Sequence, residues 1–223
     1  MIELHRVSKF YEVGPVKVPA LTDVSFRVDK GEFVVISGAS GAGKTTLLRL
    51  LYREEVPSDG EIEVLGRSLA GLRRSEVQAL RRSIGVVFQD AKLLPGRTVY
   101  ENIAFVLRVT GTPRREITAR AFEALRAVGL SARAQAYPFQ LSQGEAQRAA
   151  LARAIARHQP LLIADEPTGS LDETMAAEVL GVIRDIWNAG TTVVLATHQA
   201  RLAATLRRRT LRLEGGRIVK DEG

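Results

Sequence analysis

A chain of 223 residues with 45% hydrophobic and 26% charged residues has room for one sizeable α/β domain and not for two, and its composition excludes a disordered or collagen-like polymer. It has no cysteine, which excludes disulfides and thiolate metal sites, and its 3 histidines leave little for a zinc centre. The formal charge of +7, from 26 Arg and 6 Lys against 25 acidic residues, attracts polyanions: nucleotides, nucleic acid or an anionic membrane face. Basic pairs such as Arg73-Arg74 and Arg81-Arg82 have no interleaved aromatics, so no stable nucleic-acid complex is expected. The opening Met1-Ile2-Glu3-Leu4-His5 lacks the basic and apolar regions of a secretory leader, and no apolar run approaches the roughly 18 residues of a membrane span. The expectation is a soluble, cytoplasmic chain.

In chain order, Ile2 and Leu4, then Val24, Phe26 and Val28, alternate with polar residues and predict antiparallel strands. Asp29-Lys30-Gly31-Glu32 turns into Phe33-Val34-Val35-Ile36, a short aliphatic run of the kind buried on both faces. A glycine-rich loop follows, then a helix over Gly43–Tyr52 closed by Pro57 and Gly60. Ile84 to Phe88, Leu161 to Ala164 and Thr192 to Ala196 are further buried-strand candidates. Val99–Val109, Arg115–Val128 and Ser142–His158 predict helices, with no alternating β-branched run between them. Leu211 to Val219, folded at Glu214-Gly215-Gly216, predicts a closing hairpin.

Gly38-Ala39-Ser40-Gly41-Ala42-Gly43-Lys44-Thr45 fits G-x-x-x-x-G-K-[ST] without mismatch, directly after a strand and opening a helix, with Thr46 next in line. Glycines let backbone amides approach a phosphate closely, and the helix N-terminus adds partial positive charge. Lys44 supplies a full charge, and the Thr45 hydroxyl is a Mg²⁺ ligand of the right hardness. Leu161 to Ala164 ends in Asp165 and Glu166, one carboxylate suited to Mg²⁺ and one to deprotonating water for in-line attack on a terminal phosphate. Ser142-Gln143-Gly144-Glu145 reads by itself as a capping box that starts a helix.

Lying between those two motifs, Leu141-Ser142-Gln143-Gly144-Glu145 resembles the signature of ABC ATPases, and the resemblance covers essentially the whole chain. It implies an α/β P-loop NTPase fold: an ABC nucleotide-binding domain with an N-terminal antiparallel β subdomain and a RecA-like core (1–89 and 159–223) and an inserted helical subdomain (90–158). It also assigns roles. Tyr11 matches the adenine-stacking aromatic, and Gln89 matches the Q-loop that senses Mg²⁺ and contacts a membrane partner. Ser170, Leu171 and Asp172 match the D-loop, and His198 matches the switch histidine. ATP and Mg²⁺ are the implied ligands, held by Gly38–Thr46 with Thr45, Gln89 and Asp165 toward the metal. Ser142, Gln143, Gly144 and Glu145 would act in trans, from the second copy of an ATP-bridged homodimer. The usual family signature is Leu-Ser-Gly-Gly-Gln, so Gln143 and Glu145 are departures; Gln143 is expected to constrain the loop without abolishing activity.

Longer stretches, Leu50 to Pro57, Gly85 to Pro95 and Arg97 to Phe105, resemble the FtsE family of cell-division ATPases. That resemblance implies an FtsX-like integral membrane partner, peripheral attachment to the inner face of the plasma membrane, and regulation of cell-wall hydrolases without transport. The alternative is the ATPase subunit of a related lipoprotein-release or macrolide-export system.

Overall fold

Period-two alternation in the first 28 residues builds a long hairpin. In the computed structural model, which describes residues 1–199 and 205–222, β1 (Ile2–Val13) pairs antiparallel with β2 (Val16–Val28), Ile2 opposite Val28 and Val13 opposite Val16. Ile2, Leu4 and Val7 with Leu21, Val24 and Val28 are buried, while the tip beyond them is exposed. The aliphatic run after the turn is β3 (Phe33–Ser37), leading into α1 (Lys44–Leu51). This helix is one residue shorter at each end than expected, because Gly43 caps it in a left-handed conformation (φ 105°) and Tyr52 has left helical geometry (φ −103°, ψ 18°).

Next come β4 (Asp59–Val64), the two-residue β5 (Arg67–Ser68), α2 (Arg74–Arg82) and β6 (Ile84–Val87). The predicted helices appear as α3 (Val99–Val109), α4 (Arg114–Ala127) and α5 (Gln143–Ile155). They are followed by β7 (Leu161–Asp165), α6 (Glu173–Asn188), β8 (Thr192–Thr197), β9 (Arg209–Glu214) and β10 (Arg217–Glu222).

The chain divides into two units. One comprises Met1–Arg81 and Thr192–Gly223, the other Arg82–Thr191. In the first, β1 lies between β2 and β4, with β5 at the edge beyond β4. In the same unit β3 runs parallel between β8 and β9, and β10 closes antiparallel on β9. Val34 to Ile36 and all of β8 are buried, as expected of parallel strands covered on both faces. Leu47, Leu48, Leu50 and Leu51 bury the inner side of α1, and Leu47→Ala would cost about 2–5 kcal/mol.

In the second unit β6 and β7 pair in parallel, Ile84 with Leu161 and Val87 with Ala164. Thr98 caps α3 reciprocally with Glu101. Asn102, 1% exposed, accepts from Leu94 N (2.7 Å) and donates to the carbonyls of Leu94, Arg97 and Thr98. One buried amide thus satisfies the backbone of the loop before α3. From α5, Gln147 donates to Phe88 O (2.8 Å), and Arg153 donates to the carbonyls of Ala91 and Lys92. The segment after β6 is therefore held by the helix that the signature opens. Among the described residues no helix is long and apolar enough to cross a membrane.

Arg209 clasps the end of the first unit's parallel strands. It reaches both carboxylate oxygens of Asp221 (2.8 and 2.7 Å), Glu32 (3.0 Å) and the Arg27 carbonyl (2.8 Å). The hydrogen bond from Arg209 holds the Asp221 carboxyl below its ordinary range against a smaller opposing effect of burial. Its stabilisation is therefore complete above the carboxylate range of the unfolded chain and is lost as pH falls through the lower folded value. Asp221→Asn should lower the melting temperature by about 2–4 °C at neutral pH. Thermal scans of both proteins should converge as pH falls through that lowered folded value, where wild type loses the same interaction.

Candidate functional site

In the first unit the loop after β3 is shaped by close backbone approaches. A Cβ on Gly38 would collide with the Leu213 carbonyl, and one on Gly43 would lie 2.5 Å from Ala20 O. Alanine at either position would displace backbone, so both places require glycine. The loop is tied to the β9–β10 turn by Gly216 N donating to Ala42 O (3.1 Å), and Thr22 N donates in turn to Gly216 O (2.8 Å). Lys44, 6% exposed, donates to the carbonyls of Gly38 (2.8 Å) and Ala39 (3.0 Å), so its ammonium lies over the loop. The predicted strand–loop–helix context is present, with the amide end of α1 facing the loop.

A cleft of about 740 Å³ is lined by Gly38, Ser40, Gly41, His198, Arg212 and Glu214. His198 is exposed and follows β8, whose last residue Thr197 stands in register with Ser37 of β3. The topology of the parallel strands thus delivers the predicted histidine to the predicted loop, as strand carboxyl ends do in α/β sheets. Tyr11 is half-buried; its hydroxyl lies 3.5 Å from Thr46 Oγ1, and Lys9 Nζ sits 5.0 Å from its ring centroid. Phe10, the competing ring, is 37% exposed, so neither aromatic belongs to the core.

In the second unit β7 ends in the two carboxylates. Asp165 is half-buried and Glu166 is 8% exposed. Glu166 has a left-handed backbone (φ 49°), and its carbonyl accepts from Gly169 N (3.0 Å). That conformation costs a non-glycine residue on the order of 1 kcal/mol, which glycine would relieve; glycine has no carboxylate. Gln89 reaches the same turn, since a Cβ on Gly169 would lie 3.3 Å from Gln89 Nε2. Asp165, Glu166 and Gln89 are therefore neighbours within this unit.

Ser142 N-caps α5: its hydroxyl accepts from Glu145 N (3.1 Å), and the Glu145 carboxylate accepts from Ser142 N (2.9 Å). Gln143 is exposed, and Gly144 is buried against Met175, with a hypothetical Cβ 3.3 Å from that side chain. Ser170 is exposed, Leu171 is half-buried, and Asp172 caps α6 by accepting from Met175 N (2.8 Å). Signature and D-loop residues thus share a cleft of about 590 Å³, lined by Ser142, Gly144, Arg148, Asp172 and Met175. Two capped helix N-termini open there.

Sequence reasoning missed Arg133. Its guanidinium donates to Glu145 Oε1 (2.9 Å) and Oε2 (3.3 Å) and to the Gln140 carbonyl (3.3 Å). This hydrogen-bonded pairing, with the Ser142 amide second, holds the Glu145 carboxyl below its ordinary range. Gln147 and Arg148 belong to the stretch that carries the signature resemblance, but the pairing of Arg148 with Glu178 and the tie of Gln147 to Phe88 are not readable from it.

An ABC transporter family model matches residues 21–169. The chain is 47% identical over 222 residues to the cell division ATP-binding protein FtsE of Streptococcus pneumoniae, covering 100% of this chain and 95% of that one. It is 46% identical to FtsE of Bacillus subtilis, covering 100% and 96% respectively. Among solved structures, a dimeric post-hydrolysis state of the ATP-binding cassette MJ0796 bound to ADP and Pi superposes with a TM-score of 0.90 at 33% identity, covering 100% of this chain and 98% of that one.

The cap itself can be tested without reference to chemistry. Ser142→Ala should cost about 1 kcal/mol of stability, a fall of about 2–4 °C in melting temperature, and Ser142→Asp should restore most of it.

Proposed function

The chain belongs to the ABC transporter family, in its FtsE branch, and is an ATPase; from that premise we propose how its residues work and what they drive. ATP is bound by the loop Gly38, Ala39, Ser40, Gly41, Ala42, Gly43 with Lys44, Thr45 and Thr46, and Tyr11 stacks on the base. The loop fits phosphates because it leads directly into the N-terminal, amide-bearing end of α1, with the Lys44 ammonium beside it. Thr45, Gln89 and Asp165 are hard oxygen donors of the kind Mg²⁺ takes, and they would hold it. When bound, the metal supplies neutralisation of charge on the β- and γ-phosphates.

Glu166 orients water and accepts its proton during in-line attack on the terminal phosphate, yielding ADP and phosphate. The left-handed, nearly buried Glu166 following Asp165 is the observation that carries this reading. His198 contacts the terminal phosphate from the cleft it shares with the loop. Ser142, Gln143, Gly144 and Glu145 of a second copy meet that phosphate in trans, with Ser170, Leu171 and Asp172 beside them. ATP then favours the closed homodimer by binding it more tightly than the open one, and hydrolysis reverses the shift. The dimeric form of the related cassette supports this arrangement. The output passes to an FtsX-like integral membrane protein at the inner face of the plasma membrane, in cell division. The names of the relatives support that assignment.

Glu166→Gln should keep ATP affinity, lose about 10²–10⁴-fold in turnover, and accumulate as a dimer in light scattering with Mg-ATP. Retained multiple turnover would remove Glu166 as the base. Lys44→Ala should weaken ATP binding at least about 100-fold in equilibrium titration. Co-expression with an FtsX-like protein should carry the chain into the membrane fraction, and a chain that stays soluble there would overturn the partner assignment.

A further inference from the structure

Glu145 stands at the third position of α5 and lines the cleft into which that helix opens. Its carboxylate completes the cap, yet it also carries negative charge at the lip of a site proposed to receive a phosphate. A bare carboxylate there would oppose an incoming polyanion and cancel much of what the helix N-terminus offers. Both of its oxygens are engaged. Oε1 accepts from Arg133 Nε, and Oε2 accepts from Arg133 Nη2 and from the Ser142 amide. The carboxylate is 19% exposed and the arginine 46%. Arg133 lies in a 3₁₀ turn (Ser131–Arg133) and also donates to Gln140 O, in a second such turn (Pro138–Gln140) directly before the signature. One guanidinium therefore neutralises the cap's acid and ties the approach to the signature onto it.

We infer that Arg133 is a positioning residue of the signature: by pairing with Glu145 it lets a carboxylate-capped helix start act as an anion site. The inference rests on the proposed trans contact between Ser142–Glu145 and a partner's nucleotide. An exposed ion pair contributes little to folding, so the expected consequence lies in function and not in stability. The remaining charged groups around the cleft are Arg148, Asp172, Glu173 and Glu178. Arg148 is already paired with Glu178, so it does not substitute for Arg133 at Glu145.

The test is a double-mutant cycle on the full chain, read by steady-state ATPase and by Mg-ATP-induced dimerisation in the Glu166→Gln background. Arg133→Gln should lower turnover and dimer affinity about three- to ten-fold, with a melting temperature within about 4 °C of wild type. In the Glu145→Gln background, where no carboxylate needs neutralising, the same change should cost less than about two-fold. The Arg133→Gln defect should also shrink in high salt, which screens the exposed charge. An equal loss in both backgrounds, or no loss in either, overturns the inference while leaving the ATPase reading intact. If Arg133→Gln fails to fold, the neutral Arg133→Met enters the same cycle, and absence of coupling to Glu145 again overturns it. Failure of the underlying reading shows separately, as absent ATP turnover in the unmodified chain, and takes the inference with it.

Discussion

Backbone packed directly on backbone is the constraint from which the phosphate loop takes its shape. Gly38 sits against the Leu213 carbonyl, and Gly43 and Gly216 both sit against the Ala20 carbonyl. Hydrogen bonds from Gly216 to Ala42 and from Thr22 to Gly216 complete the clamp. Three segments far apart in sequence, around residues 20, 40 and 215, thereby fix one another at distances that side chains would forbid. A loop held this way offers its amides already aimed, so little reorganisation is left for the moment of binding. The buried Lys44 follows from the same packing, because its ammonium is satisfied by the carbonyls of the loop itself.

The other unit uses a different device: helix starts capped by their own acids. Ser142 with Glu145 and Asp172 with the Met175 amide leave two helix N-termini beside one cleft, separated by little more than the contact of Gly144 with Met175. Gln147 and Arg153 then connect the same helix to the backbone that follows β6. The signature helix is accordingly part of a hydrogen-bonded body that includes the approach to Gln89.

Much of this was legible in the residues because the relevant signals are local. Alternation gave the start of β1 and the inner half of β2, aliphatic runs gave β3, β6, β7 and β8, and glycine and capping patterns gave α1 to within one residue at each end and the start of α5. The closing hairpin was read correctly, although its strands start earlier and end later than the apolar residues alone suggest. Helix α6 is absent from the expected elements, although Ala176, Val179, Leu180, Ile183 and Ile186 have helical spacing and Asp172 is a good cap; the same aspartate also ends the D-loop motif. The predicted helix to His158 ends at Ile155, and His158 is left-handed (φ 54°), two residues before Pro160. Helix α2 and strand β4 lie in charged sequence where burial on one face, and not composition, decides the structure. At the site, residue identities were readable from spacing. The left-handed Glu166, the Arg133 partner of Glu145 and the Arg209 clasp were not, since each depends on atoms brought together by the fold.

The brace on the phosphate loop also orders events in time. Residues 38–43 leave the ribosome some 170 residues before Gly216, so a nascent chain carries the complete motif long before anything presses against it. The braced form of the loop is therefore one that the polypeptide gains late in its synthesis. A prematurely terminated product would keep its recognisable fingerprint while lacking the Leu213 and Gly216 backbone that braces it.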